Sequence, residues 1–145
     1  MPKNPPDDMP RITPYLYYND VERALRWLSD TFGLEKRFEM PGPDGRTVHA
    51  EMVFEDGVIM LGLACPEQNG RSPSELEGVN QGLYIYVGDV DAHHQKAASA
   101  GARITEEPVD MFWGDRMYSV KDLEGHQWTF AQHVKDVAPE DMKPG

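Results

Sequence analysis

The chain has 145 residues, with 14 lysines and arginines against 25 aspartates and glutamates, giving a formal charge of −11. That balance disfavours nucleic acid, whose recognition needs clustered cations over phosphates, and would draw cationic rather than anionic ligands at low salt. The single cysteine, Cys65, rules out an internal disulfide, no apolar run nears the ~18 residues a membrane-spanning helix needs, and the amino-terminal residues lack an apolar leader core; a cytoplasmic protein that touches no membrane is expected.

Residues 1–10 carry four prolines and read as an extended, disordered tail. Residues 11–18, RITPYLYY, alternate and predict a strand, with Pro14 at an edge or near the strand start. Asn19-Asp20 offers helix caps, and Val21, Ala24, Leu25, Leu28 and Phe32 recur at helical spacing with Trp27 beside them, until Gly33 stops the helix. Residues 34–40 predict a second strand and 41–45 a turn. Residues 47–54 predict a third strand, with His49, Glu51 and Val53 on one face, and 58–63 a fourth. Residues 65–80 are polar and rich in Gly, Ser and Pro; they read as a linker with a short helical turn at 72–76.

After the linker the pattern repeats. Gly82–Val87 is a strand like the first, and Gly88-Asp89-Val90 answers Asn19-Asp20-Val21 at the mouth of a helix over 90–100 that ends at Gly101. On that helix His93 and His94 are expected to face solvent. A strand over 103–107 stops before Pro108. Strands over 116–121 and 126–132 then form a hairpin around Asp122-Leu123-Glu124-Gly125, with His126 expected to brace the turn through Asp122. Each half is β-α-β-β-β, and a half of ~60 residues buries little core alone. The expected fold class is therefore α+β: a single domain over 11–134, made of modules 11–64 and 81–134 whose curved sheets close around a cleft, followed by a loose tail over 135–145.

The stretch Phe112-Trp113-Gly114-Asp115-Arg116, followed by Asp122-x-x-Gly125-His126-x-Trp128, resembles the end of a module in the vicinal oxygen chelate superfamily of glyoxalases, bleomycin resistance proteins and extradiol dioxygenases, most of all in its PhnB-like branch. The resemblance implies a paired-module fold with its binding site in the cleft, and frequent pairing of chains, so a homodimer is expected. It also implies where metal-dependent relatives take their ligands: the start of the first strand and the last strand of each half. Here those positions fall on Thr13, Gly82, Met60 and Thr129. None is a good ligand for a hard divalent ion, so no cofactor is expected.

Strand alternation then predicts an aromatic, weakly polar lining. Thr13, Tyr15, Tyr17, His49, Glu51 and Met60 come from the first half, and Tyr84, Tyr86, Tyr118, Gln127 and Thr129 from the second, with Trp113 on a loop placed to close over a ligand. Glu51 is the expected counter-charge for a cationic group. Trp128 and Phe130 belong to the core. Asp115 and Arg116 are read as an ion pair or a brace for the turn. His49 and Glu51, two apart on one strand, are the candidates for acid–base work or for an atypical metal site.

Three readings stay open. The first is a binding protein that sequesters a small aromatic or cationic compound, as bleomycin resistance proteins do. The second is a glyoxalase-like lyase or isomerase, or a dioxygenase, built around His49 and Glu51. The third is a regulatory module with a filled cleft.

Overall fold

A computed structural model describes residues 1–144. Eight strands and two helices follow in the order β1 (Tyr15–Tyr18), α1 (Val21–Phe32), β2 (Glu35–Pro41), β3 (Thr47–Phe54), β4 (Gly57–Leu63), β5 (Gly82–Tyr86), α2 (Val90–Ser99), β6 (Arg103–Asp110), β7 (Asp115–Lys121) and β8 (Gln127–His133). Short 3-10 turns occupy Pro66–Gln68, Pro73–Glu75 and Pro139–Asp141. The chain divides into two compact units, Met1–Glu77 and Gly78 onward, the boundary falling inside the polar stretch 65–80.

Both units have the same wiring. The sheets run β1-β4-β3-β2 and β5-β8-β7-β6, with β1 parallel to β4, β5 parallel to β8, and antiparallel pairing elsewhere. The repeat extends to the helix caps. Asp20 and Asp89 sit in nearly the same extended conformation, and each side chain accepts the backbone N–H three residues on, from Arg23 and Ala92. The architecture is thus α+β, two four-stranded mixed sheets each carrying one helix.

In the first unit the apolar stripe of α1 (Val21, Ala24, Leu25, Leu28, Phe32) is buried, together with Leu16, Tyr18, Ala50, Met52, Ile59 and Leu61 from alternate strand positions. Each fully buried side chain of this size contributes about 1.5–3 kcal/mol relative to exposure. The strand residues between them are left to the face that carries no helix.

The second unit packs differently, because α2 buries only Val90 and Ala97. Its histidines make up the shortfall. His93 lies over Phe130 with ring centroids 4.2 Å apart, and its Nδ1 is 2.6 Å from the Tyr118 hydroxyl. His94 meets Tyr118 edge-on at 5.1 Å, with Nε2 2.7 Å from Glu107 Oε2. The two imidazoles expected in solvent are instead the helix's packing face. Tyr118 also departs from expectation. The hairpin pairs Lys121 with Gln127, so each β7 residue stands opposite a β8 residue of the same parity, and Tyr118 faces Phe130. It is fully buried with Trp128 and Phe130 under α2, not on the face of Gln127 and Thr129, and burial pushes its hydroxyl pKa up.

Two local features differ from the sequence reading, and a third, the bracing of the hairpin by His126 through Asp122, is as expected. β1 begins at Tyr15, leaving Thr13 and Pro14 ahead of it, though the Pro14 carbonyl still accepts from Met60 N at 2.9 Å. β6 runs on through Pro108 to Asp110. It is an edge strand with register shifts between Ile104 and Glu106 and between Glu106 and Val109, so proline's missing N–H is tolerated there. Finally, the hairpin is braced by the backbone of His126. Asp122 Oδ1 accepts from the N–H groups of Glu124, Gly125 and His126, each at 3.0 Å, while Oδ2 accepts Trp128 Nε1 at 3.0 Å.

Candidate functional site

On the helix-free face of the first sheet, register brings together most of the residues expected there. Tyr15 pairs with Met60, Tyr17 with Gly62, His49 with Gly62 and Glu51 with Met60. The Tyr15 and Tyr17 rings lie 5.2 Å apart and are 44% and 36% exposed. Thr13, before the strand, is half-buried.

The tyrosine rings are seated on glycines. A Cβ at Gly62 would stand 2.5 Å from Tyr15 Cε1, and one at Gly70 2.7 Å from Tyr17 Cδ1. Gly70 is held there by reciprocal backbone hydrogen bonds with Cys65, at 2.7 and 3.1 Å. Between these groups lies a cavity of about 400 Å³, lined by Tyr15, Tyr17, Gly62, Cys65, Gln68 and Gly70.

His49 and Glu51 do meet. The Tyr15 hydroxyl is 3.1 Å from His49 Nδ1, and His49 Nε2 is 3.5 Å from Glu51 Oε2. A third partner was not foreseen: Arg37 Nε donates to Glu51 Oε1 at 3.1 Å, and Arg37 Nη1 donates to the Asp8 carbonyl at 3.1 Å. Glu51, the expected counter-charge for a ligand, already has one from Arg37. The ladder between β2 and β3 shifts between Lys36 and Phe38, which re-aims Arg37, and alternation alone does not show such a bulge.

In the second unit, Tyr84 pairs with Thr129 and Gly82 with Gln127, so Tyr84, Thr129 and Gln127 share the helix-free face. The Tyr84 and Tyr86 rings stand 5.6 Å apart, edge to face, and are 45% and 57% exposed. At the centre is Asp115, only 2% exposed. Its Oδ2 accepts from the Tyr84 hydroxyl (2.7 Å), the Tyr86 hydroxyl (2.9 Å) and Trp113 Nε1 (3.1 Å), and its Oδ1 lies 2.8 Å from His133 Nδ1. His133 Nε2 is 2.7 Å from Asp136. Of the two roles expected for Asp115 and Arg116, an ion pair or a brace for the turn, the ion pair does not form: Arg116 points the other way, to Asp91 and Asp110.

The charges follow from these contacts. Burial on its own would raise the Asp115 pKa, but hydrogen bonds from Tyr84, His133, Tyr86 and Trp113 together hold it below the ordinary carboxylate value. Desolvation and the bond to Asp115 push Tyr84 up to about 12. Asp136 and Asp115 raise His133 above the usual imidazole value. Asp115 and His133 have the parity of Ser119 and Thr129 on their strands, the one sequence signal that places them on this face.

The model of the Glyoxalase/Bleomycin resistance protein/Dioxygenase superfamily matches residues 9–130. The chain belongs to the glyoxalase/bleomycin resistance protein/dioxygenase superfamily. Similar proteins include Mb0911c of Mycobacterium bovis, 31% identical over 137 residues that span 92% of this chain and 90% of that protein. Among solved structures, TioX from Micromonospora sp. ML1 superposes with a TM-score of 0.69 at 30% identity, over 87% of this chain and 100% of that one. The fosfomycin resistance protein FosX from Listeria monocytogenes, at 13% identity and a TM-score of 0.64 over 93% and 98% of the two chains, shares the fold alone.

In this superfamily member, the positions that the resemblance assigns to metal ligands carry two hydroxyls (Thr13, Thr129), a thioether (Met60) and no side chain (Gly82). The Thr129 hydroxyl is already 3.0 Å from that of Ser119. Such a donor set does not fit a hard divalent ion, which takes carboxylate, carbonyl and water oxygens. Among the described residues, no three His, Cys, Asp or Glu side chains gather in a group able to hold a metal, and none of the helices is long and apolar enough to cross a membrane.

Proposed function

We propose that this protein binds and sequesters a small flat or cationic organic compound, without metal and without transforming it. One observation carries the reading. On each unit's helix-free sheet face two tyrosines stand ring beside ring, 5.2 and 5.6 Å apart, with Tyr15, Tyr84 and Tyr86 anchored at their hydroxyls and all four side chains partly exposed. Aromatic surfaces of this kind stack on planar rings and attract cations, and the few polar groups behind them fix orientation. The poor donor set at Thr13, Met60, Gly82 and Thr129 supports a mechanism that does not pass through a metal.

Within the superfamily we place the chain in the PhnB-like branch, on the strength of its Phe112–Arg116 run and Asp122–Trp128 hairpin, and read it as a cytoplasmic, resistance-like homodimer. A second reading, acid–base catalysis, is favoured by the continuous line of contacts from Tyr15 through His49 to Glu51.

Calorimetric titration against a panel of planar aromatic and aromatic-ammonium compounds tests the proposal. At least one compound should bind in the roughly 1–100 µM range, about −8 to −5.5 kcal/mol, and be recovered unchanged. Nothing tighter than millimolar across the panel would contradict the reading, and a chemically altered compound would hand it to catalysis.

A further inference from the structure

The two tyrosine rows differ in what stands behind them, and the difference assigns them different ligand chemistry. Behind Tyr15 the carboxylate is Glu51, already neutralised by Arg37 at 3.1 Å. Behind Tyr84 and Tyr86 the carboxylate is Asp115; the three donors converging on its Oδ2 are neutral, two phenols and an indole, and on Oδ1 it shares His133 with a second carboxylate, Asp136. A phenol that donates its proton to a carboxylate gains electron density in its ring, which strengthens the pull of the ring face on a cation. The hydrogen bonds also fix these side chains before any ligand arrives, so less freedom is lost on binding.

Resting on the sequestration reading above, we propose that the Asp115 platform, formed by Tyr84, Tyr86 and Trp113 held on one buried carboxylate oxygen, is a recognition site for quaternary ammonium groups. The preference for a quaternary over a primary ammonium follows from burial. At 2% exposure Asp115 is sealed beneath its donors. A primary ammonium or a guanidinium needs direct hydrogen bonds to replace those it loses from water, and Asp115 has no open position to offer. A quaternary ammonium donates no hydrogen bond, is weakly hydrated and needs only ring faces; Tyr84 and Tyr86 are 45% and 57% exposed. The neighbouring imidazole, His133, is spanned by the carboxylates of Asp115 and Asp136 at 2.8 and 2.7 Å, which offset its charge when it is protonated. Arg116 is committed to Asp91 and Asp110, and its register partner Gln132 lies on the opposite face from Tyr84.

The test is an NMR titration of the full chain with benzyltrimethylammonium, benzylammonium and benzyl alcohol, following the Trp113 indole N–H, assigned with Trp113→Phe. The Trp113 signal should move with benzyltrimethylammonium, which should bind about tenfold more tightly than the neutral alcohol. Tyr84→Phe/Tyr86→Phe keeps both rings but removes their hydrogen bonds to Asp115. It should weaken the quaternary ion by roughly three- to tenfold, a larger loss than any it causes for benzyl alcohol. Three results would each overturn the inference: equal affinity for the ammonium and the alcohol, a primary ammonium that outcompetes the quaternary one, or a double variant that binds the quaternary ion as the parent does. If panel compounds bind through Tyr15 and Tyr17 while Trp113 stays silent, this site falls and the sequestration reading survives. If nothing binds anywhere, both fall.

Discussion

Asp122→Ala is expected to lower the stability of the second unit by about 3–5 kcal/mol, since hydrogen bonds to a charged group are worth about 1.5–3 kcal/mol each and a buried donor left unpaired costs about 1–3 kcal/mol. The residue is buried, and one carboxylate organises the whole β7–β8 turn: three successive backbone N–H groups on Oδ1 and the indole of buried Trp128 on Oδ2. Alanine strands all four donors. The backbone amides lie near the surface and regain water, but the Trp128 N–H sits in the core and does not, which sets the lower bound. Asparagine offers one acceptor oxygen, and its amide would face either the indole N–H or the three amides donor to donor, so it restores only part of the loss. Urea denaturation of the three proteins checks this. An alanine variant within about 1 kcal/mol of the parent would show the turn to be held by other contacts.

The second large effect is expected at Gly114. Its φ of +102° lies where only glycine is comfortable. A Cβ there would also overlap the Lys135 carbonyl oxygen, which is backbone and cannot rotate aside. The Gly114 carbonyl in turn accepts from Val134 N at 2.9 Å and Lys135 N at 3.0 Å, tying the segment after β8 to the loop that carries Trp113. Gly114→Ala should cost about 2–5 kcal/mol, from left-handed strain of about 1–2 kcal/mol and overpacking of about 1–3 kcal/mol. It should also pull Asp136 away from His133, bringing the His133 pKa down toward the ordinary imidazole value in an NMR titration. An unchanged unfolding temperature and an unchanged His133 titration would rule this account out.

The fold was legible because its signals are local. The stripe from Val21 to Phe32 and the Asp20 and Asp89 caps each lie within a dozen residues, and both helices start where these caps placed them. Parity placed Tyr15, Tyr17, His49, Glu51 and Met60 on one face, because the short β3–β4 turn fixes the register of neighbouring strands. Tyr118 is expected beside Gln127 and Thr129, but the hairpin pairs it with Phe130, and a shift of one residue turns a side chain to the opposite face. Asp115 stayed hidden for a different reason. Tyr84, Tyr86 and His133 lie 31, 29 and 18 residues away, so its role exists only after the sheet has formed. Arg37 is displaced by a bulge, and His93 and His94 fill a gap left by a helix with too few large apolar side chains. In each case the missing information was tertiary.

The central claim is that this superfamily member captures an organic molecule with aromatic walls and without a metal ion. Native mass spectrometry of protein purified without chelator tests it most directly, because one spectrum reports metal and organic cargo together. The account predicts chains that carry no stoichiometric divalent ion and that take up an added aromatic ammonium compound as a discrete adduct. One tightly held divalent ion per chain, retained on dilution and required for that uptake, would contradict it.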